Sequence, residues 1–329
     1  MSLNDREDIK KQTFDRIQAT ISAKERKKRL LNGSILFFVL SISVSLIIFY
    51  LRSNDFSPKQ AEHIYADITA GDITISGSKP VPLTAWRNSG DKPFKVSKKN
   101  NMLIIEQTES SVSQFDDVVL RVGVGGFYKV LLKDGTTVFL NSNSELSYKG
   151  NFLENRVVKL KGEAFFEASH KEQYGKKQKL VVLTEGQRIS VLGTKFNVLS
   201  RGKVEEAVLT EGRIALRSTK SGKNASLSPG ERAVLNEQGA ISKTIAITED
   251  YTSWKDGNLY YENKSLSYIL SDLANIYPIH FDANKVPKRN FTLFLKRDRP
   301  FSEILDLIKK SGNMDINLEG HKIVFQNSF

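Results

Sequence analysis

The sequence predicts a single-pass membrane protein with an all-β domain outside the cytoplasm, followed by a small α+β module. Three observations carry this. One run of 19 residues has no charge, a long stretch shows strand rather than helix periodicity, and two helical patterns return near the C-terminal end. Composition bounds the rest. At 329 residues the chain is long enough for roughly two or three domains. It has no cysteine, which excludes disulfides, cysteine zinc sites and a cysteine nucleophile. His63, His170, His280 and His321 stand far apart, none at metal-ligand spacing, so neither a metal nor a cofactor is expected. The formal charge of +12 is spread along the chain, and no direct nucleic-acid partner is expected.

The uncharged run is Gly33 to Leu51. As a helix it is about 28 Å long, close to the hydrocarbon thickness of a bilayer. The basic run Lys24–Arg29 lies directly before it, whereas Arg52, Asp55, Lys59 and Glu62 after it balance. Positive charge stays on the cytoplasmic side, so residues 1–32 are expected inside and 52–329 outside. The 32-residue charged N-region and the absence of a small-x-small site after Leu51 argue against a cleaved signal peptide. Within the stub, Phe14, Ile17 and Ile21 recur at helical spacing, an apolar stripe suited to a partner groove or to a solvated juxtamembrane helix.

From Ile64 to about Asp250, short Val/Ile/Leu/Phe/Thr runs alternate with Gly, Asn, Asp and Ser turns. Lys133-Asp134-Gly135-Thr136, between two such runs, signals a hairpin. Residues 52–120 read as an additional β segment and 121–253 as the main β domain. Glycines at 162, 193, 212 and 230 punctuate it; the last three, 19 and 18 residues apart, suggest stacked hairpins or solenoid-like coils. There is no Ser/His/Asp group, paired carboxylate set or phosphate loop, so no enzyme is expected.

Residues 254–329 form the α+β module. Leu259–Glu262 reads as a strand, and Ser265 as the N-cap of a helix with Leu266, Ile269, Leu270, Leu273, Ala274 and Tyr277 on one face. Ile279–Asp282 and Phe291–Leu295 read as strands. Pro300 opens a second helix carrying Phe301, Ile304, Leu305 and Ile308, and Gly312 stops it. A hairpin around Glu319-Gly320 closes the module. A short sheet with both helices on one face leaves an edge strand open to strand addition.

Four segments together resemble the FecR family of transmembrane anti-sigma regulators. Val130–Asn141 (VLLKDGTTVFLN) is similar to the family's V-x-L-P-D-G-T-x-V-x-L-N, with Lys133 in place of proline. Arg156–Glu167 (RVVKLKGEAFFE), Val191–Val198 (VLGTKFNV) and Leu227–Glu231 (LSPGE) follow in family order. The C-terminal module resembles the family's secretin/TonB N-terminal-like signalling module.

The resemblance implies an inner-membrane protein with its C-terminal region in the periplasm. It also implies two partners: an extracytoplasmic-function sigma factor inside, and the signalling domain of an outer-membrane TonB-dependent transporter outside. The stub's Phe14, Ile17 and Ile21 are then the candidate sigma contacts, although residues 13–21 resemble only the last helix of the family's sigma-binding bundle. Leu259, Tyr260, Tyr261, Ile323, Val324 and Phe325 are the candidate transporter contacts. Some family members cut themselves at a Gly-Thr pair in the motif occupied here by Gly193-Thr194. The threonine hydroxyl would attack the glycine carbonyl, and the plainer reading is a tight turn. The alternative function is a membrane-tethered periplasmic binding or scaffold protein without sigma-factor control. It would recognise glycan through aromatics such as Trp86, Phe127 and Tyr128, for which strand packing is the commoner role.

The topology is testable with fusions. A reporter active only in the periplasm should work after Phe329 and fail at residue 20; the reverse pattern would remove the membrane anchor from the account.

Overall fold

The computed structural model of the chain describes residues 71–75, 79–86, 94–99, 102–108, 112 and 116–326. The stub with Phe14, Ile17 and Ile21, and the span 33–51, lie outside the described residues. Among the described residues no helix is long and apolar enough to cross a membrane.

Among the described residues, seventeen strands build the two layers of the β domain, which share one strand. In the first layer the order is Val81–Pro82, Gly71–Ile75, Asp117–Val122, Ser144–Lys149, the start of Val157–Glu167, Leu180–Leu183, Gln187–Val191, Ile214–Ser218 and Asn224–Leu227. In the second it is Phe94–Lys99, Met102–Gln107, Tyr128–Leu131, Thr137–Leu140, the end of Val157–Glu167, Lys195–Arg201, Val204–Glu211, Glu231–Leu235 and Ile241–Ile245. Ile73, Leu120, Leu146, Val158, Ile189 and Leu216 of the first layer share one buried cluster with Ile105, Val130, Val138, Phe166, Phe196 and Leu209 of the second. The layers therefore pack face to face as a sandwich. Strands before residue 120 are integral to both layers.

This differs from the solenoid-like coil that the glycine spacing suggests. In a coil each turn pairs with its neighbour along the chain. Here Gln187–Val191 pairs with Ile214–Ser218, skipping the intervening hairpin, which belongs to the other layer. Gly193, Gly212 and Gly230 mark the points where the chain crosses between layers. The regular spacing records one hairpin per crossing, and the stacked hairpins alternate between two sheets.

Gly162 makes the same change inside a single strand. Lys161 still pairs with Glu145 of the first layer, whereas Gly162 pairs with Ser200 of the second. The bend needs φ +94°, and a Cβ there would fall 2.3 Å from Ser144 Oγ and 2.6 Å from its Cα. Only glycine fits such a backbone approach. Alternation then directs Val158, Leu160, Ala164 and Phe166 inward and Glu163 and Phe165 to the outer face.

The Asp134-Gly135-Thr136 turn is a hairpin loop as expected, with Gly135 at φ +85°. Asp134 accepts from the Thr136 amide and hydroxyl, each at 2.8 Å. It is also ion-paired, at 2.7 Å, with the fully buried Arg156. That guanidinium also donates to the carbonyls of Gln178 (2.6 Å) and Ser169 (2.8 Å). One ion pair thus ties a hairpin tip to two later loops.

In the module, Ser265 Oγ accepts from the Tyr268 amide and starts the helix Leu266–Ile276. The helix Phe301–Gly312 follows Pro300 and ends at Asn313 in the left-handed region. The element order matches the expectation, but the strands form two small sheets: Asn258–Ser265 with Asn290–Lys296, and His280–Phe281 with Lys322–Phe325 and Ile316–Glu319.

Asp134→Ala would strand Arg156 as a buried, unpaired cation. A loss of about 3–5 kcal/mol is expected in urea unfolding. Adding Arg156→Met should recover part of it; a loss under about 1 kcal/mol would mean the pair does not hold the hairpin.

Candidate functional site

Three of the four motif segments meet on the outer face of the second layer. Asn141 follows the strand Thr137–Leu140, Glu163 follows the Gly162 crossing, and Asn197 lies in Lys195–Arg201. Asn141 Nδ2 and Asn197 Nδ2 each donate to Glu163, at 2.8 and 2.9 Å. The module completes the site. Arg297, just past Asn290–Lys296 and 5% exposed, donates to Asn141 Oδ1 (2.7 Å), Ser142 Oγ (2.6 Å) and the Gly126 carbonyl (3.0 Å). Its guanidinium stacks over the Phe127 ring at 5.1 Å. The result is a hydrogen-bonded line from the module to the β domain: Arg297, Asn141, Glu163, Asn197.

Around this line the two parts share one apolar cluster. Phe127, Phe139 and Phe165 of the β domain are buried with Trp254, Leu259, Ile276 and other side chains of the module. Trp254 meets Phe127 edge-on at 5.8 Å. The joint is also fastened by Gly125 N–H donating to the Asn275 carbonyl and Asn143 Nδ2 donating to Asn275 Oδ1.

A narrow cleft beside the joint is lined by Glu163, Glu206, Asp250, Tyr268 and Asp272. Tyr261 donates to Asp272 at 2.8 Å, and Arg232 pairs with Glu206. Burial and, secondarily, the Asp272 carboxylate push the Glu163 carboxyl up to about 7, against the amide donors and Arg201. Burial lowers the Arg297 guanidinium to about 10, which leaves it charged at neutral pH. This chemistry holds and orients; among the described residues no cluster suited to a metal ion is present.

Gly193-Thr194 lies at a crossing between layers. The His170 imidazole packs on Gly193, where a Cβ would fall 2.2 Å from the ring. Thr194 is buried, its Oγ donating to the Arg213 carbonyl at 3.2 Å.

Of the expected module contacts, Leu259, Tyr261 and Ile323 are core residues, whereas Tyr260, Val324 and Phe325 are half-buried. Phe127 and Tyr128 are buried, which removes them as exposed recognition aromatics. Sequence reasoning missed Arg297, which carries no local signal, and Phe294. Strand alternation could have found Phe294: in Asn290–Lys296 residues 291, 293 and 295 face the core, leaving Phe294 outward and 64% exposed.

The family model described as FecR protein matches residues 118–215, and that described as FecR, C-terminal matches residues 258–325. No curated protein matches. The chain is similar to two crystal structures of a protein from Parabacteroides distasonis ATCC 8503 assigned as an anti-sigma factor, at 1.65 and 2.50 Å resolution. Both are 26% identical with a TM-score of 0.56; the alignments cover 64% and 65% of this chain and 99% and 100% of theirs.

Arg297→Ala removes a buried charge with three acceptors, a loss on the order of 3 kcal/mol in urea unfolding. Arg297→Lys should recover under half, because an ammonium lacks the planar fork. Full recovery by lysine would show that charge alone, not the guanidinium geometry, holds the joint.

Proposed function

We propose, from the premise that the chain belongs to the FecR family, that it is a transmembrane regulator of an extracytoplasmic-function sigma factor. The signal comes from the signalling domain of a TonB-dependent transporter in the periplasm. The observation that carries this reading is the two-sidedness of the module. Its inner face is seated on the β domain through Arg297 and three phenylalanines. Its outer face carries Tyr260 and Phe294, cross-strand partners with ring centroids 6.5 Å apart. An exposed phenylalanine meeting a neighbouring tyrosine edge-on has little to gain in the folded chain alone and suits a partner's apolar surface.

A transporter domain bound there would be one strand away from the joint. Movement of Asn290–Lys296 would pass to Arg297 and thence to Asn141 and Glu163. Phe14, Ile17 and Ile21 remain the proposed sigma contacts, and the inner membrane the proposed location. No enzymatic step is part of this reading; Gly193-Thr194 serves as a crossing turn against which His170 packs.

The partner surface is tested by Phe294→Ser and Tyr260→Ser in the full-length chain. Each should weaken binding of the transporter signalling domain by tenfold or more, with the unfolding midpoint of Phe294→Ser nearly unchanged because substitutions at exposed positions cost little. Undiminished binding by the double variant would move the contact elsewhere. Failure of the intact chain to bind any sigma factor would favour the tethered scaffold instead.

A further inference from the structure

We propose that the hairpin built from Glu172–Gln173 and Lys176–Lys177 is a membrane contact, in which Tyr174 and the lysines around it rest on the anionic headgroups of the bilayer that anchors the chain. This contact rests on the anchor reading of Gly33–Leu51 and not on the sigma-factor or transporter readings.

Among the described residues the two strands pair only with each other, so the hairpin stands apart from both layers of the β domain. Its feet are nonetheless fixed. The buried Arg156 guanidinium donates to the Ser169 carbonyl before the hairpin and to the Gln178 carbonyl after it. The Gln178 amide donates across to the Lys171 carbonyl at 2.8 Å. One buried cation thus clamps both ends of the projection.

The tip is strained. Tyr174 and Gly175 take φ +51° and +70°. A two-residue turn with both positions left-handed favours Asn-Gly, and a bulky side chain at the first of them is disfavoured. Packing does not offset this, since Tyr174 is 93% exposed. An aromatic ring held in a disfavoured conformation and left in water points to a role outside the folded chain.

The charge selects the partner. Residues 171–179 (KEQYGKKQK) hold four lysines and one glutamate, a net +3. Lys176, Lys177 and Lys179 are exposed, and none of the four lysines forms an ion pair among the described residues. A convex tip has no cleft to enclose a peptide or a sugar, but it meets a flat headgroup layer. Tyrosine sets an apolar ring and a polar hydroxyl at such a boundary, and lysines beside it reach anionic phosphates. The tether keeps that layer within reach. Residues 52–70 lead from the span to the first described strand, which even at full extension holds Gly71 within about 70 Å of the bilayer. Tethering makes the contact intramolecular in effect, so a weak one suffices.

Tyr174→Trp keeps an interfacial aromatic and supplies the probe. Trp86→Phe removes one background indole, and Trp254, closed in the joint against Phe127, stays as the internal reference. The full-length chain is placed in nanodiscs of phosphatidylcholine alone, or mixed two to one with phosphatidylglycerol, with lipids brominated near the headgroup end of their acyl chains. The expected result is a tip indole that is blue-shifted and quenched in the anionic discs, and red-shifted and unquenched in the neutral ones. The difference should vanish in about 0.5 M salt, which screens exposed charges beyond a few ångströms. Lys176→Glu combined with Lys177→Glu should abolish it as well; if that variant does not fold, the salt titration decides alone. A tip that reads the same in both discs, or that responds undiminished in the double variant, overturns the contact. A shift produced by a soluble polyanionic glycan and not by the anionic discs overturns it in favour of a carbohydrate partner. A chain that enters neither disc removes the anchor and the contact together, whereas a chain that enters both with an indifferent tip removes the contact alone.

Discussion

The crossing at Gly162 is the constraint on which the rest of the molecule depends. One strand, Val157–Glu167, begins in the first layer and ends in the second, and the change occurs at a residue with φ +94° against the Ser144 backbone. A side chain there would force the layers apart. Because the bend falls between two residues that pack inward, alternation resumes beyond it and sets Glu163 and Phe165 on the outer face. Those two side chains are the seat of the module.

The polar residues of the motif segments divide into two groups with different work. Asp134, Thr136 and Arg156 are closed in on themselves and hold loops together. Such a buried pair adds specificity of arrangement more than net stability, since desolvation offsets much of its attraction. Asn141, Glu163 and Asn197 instead lie on the outer face of the second layer, and Asn141 acquires a further partner, Arg297, from another part of the chain. A residue pattern that looks uniform as a string therefore separates into a framework and a joint.

The joint also changes what the module can be. Its apolar core is continuous with Phe127, Phe139 and Phe165, so the β domain without the module would expose three phenylalanines together. The two parts act as a coupled pair.

The sequence alone determined the element types and much of the chemistry. Strand periodicity up to residue 250, the Ser265 cap, the Pro300 helix start and the Asp134-Gly135 hairpin are local, because capping, turn conformation and alternation are set by residues within a few positions. The glycine spacing was visible too, but its meaning was not. A glycine every 18 or 19 residues is compatible with a coil or with crossings between layers, and only strand pairing across the skipped hairpins decides. Arg297 shows the same limit. Nothing near it separates a buried joint from a solvated loop, because its acceptors lie more than 150 residues earlier in the chain. Which strand neighbours which, and which polar groups are enclosed together, are settled by long-range packing, and the joint exists only at that level.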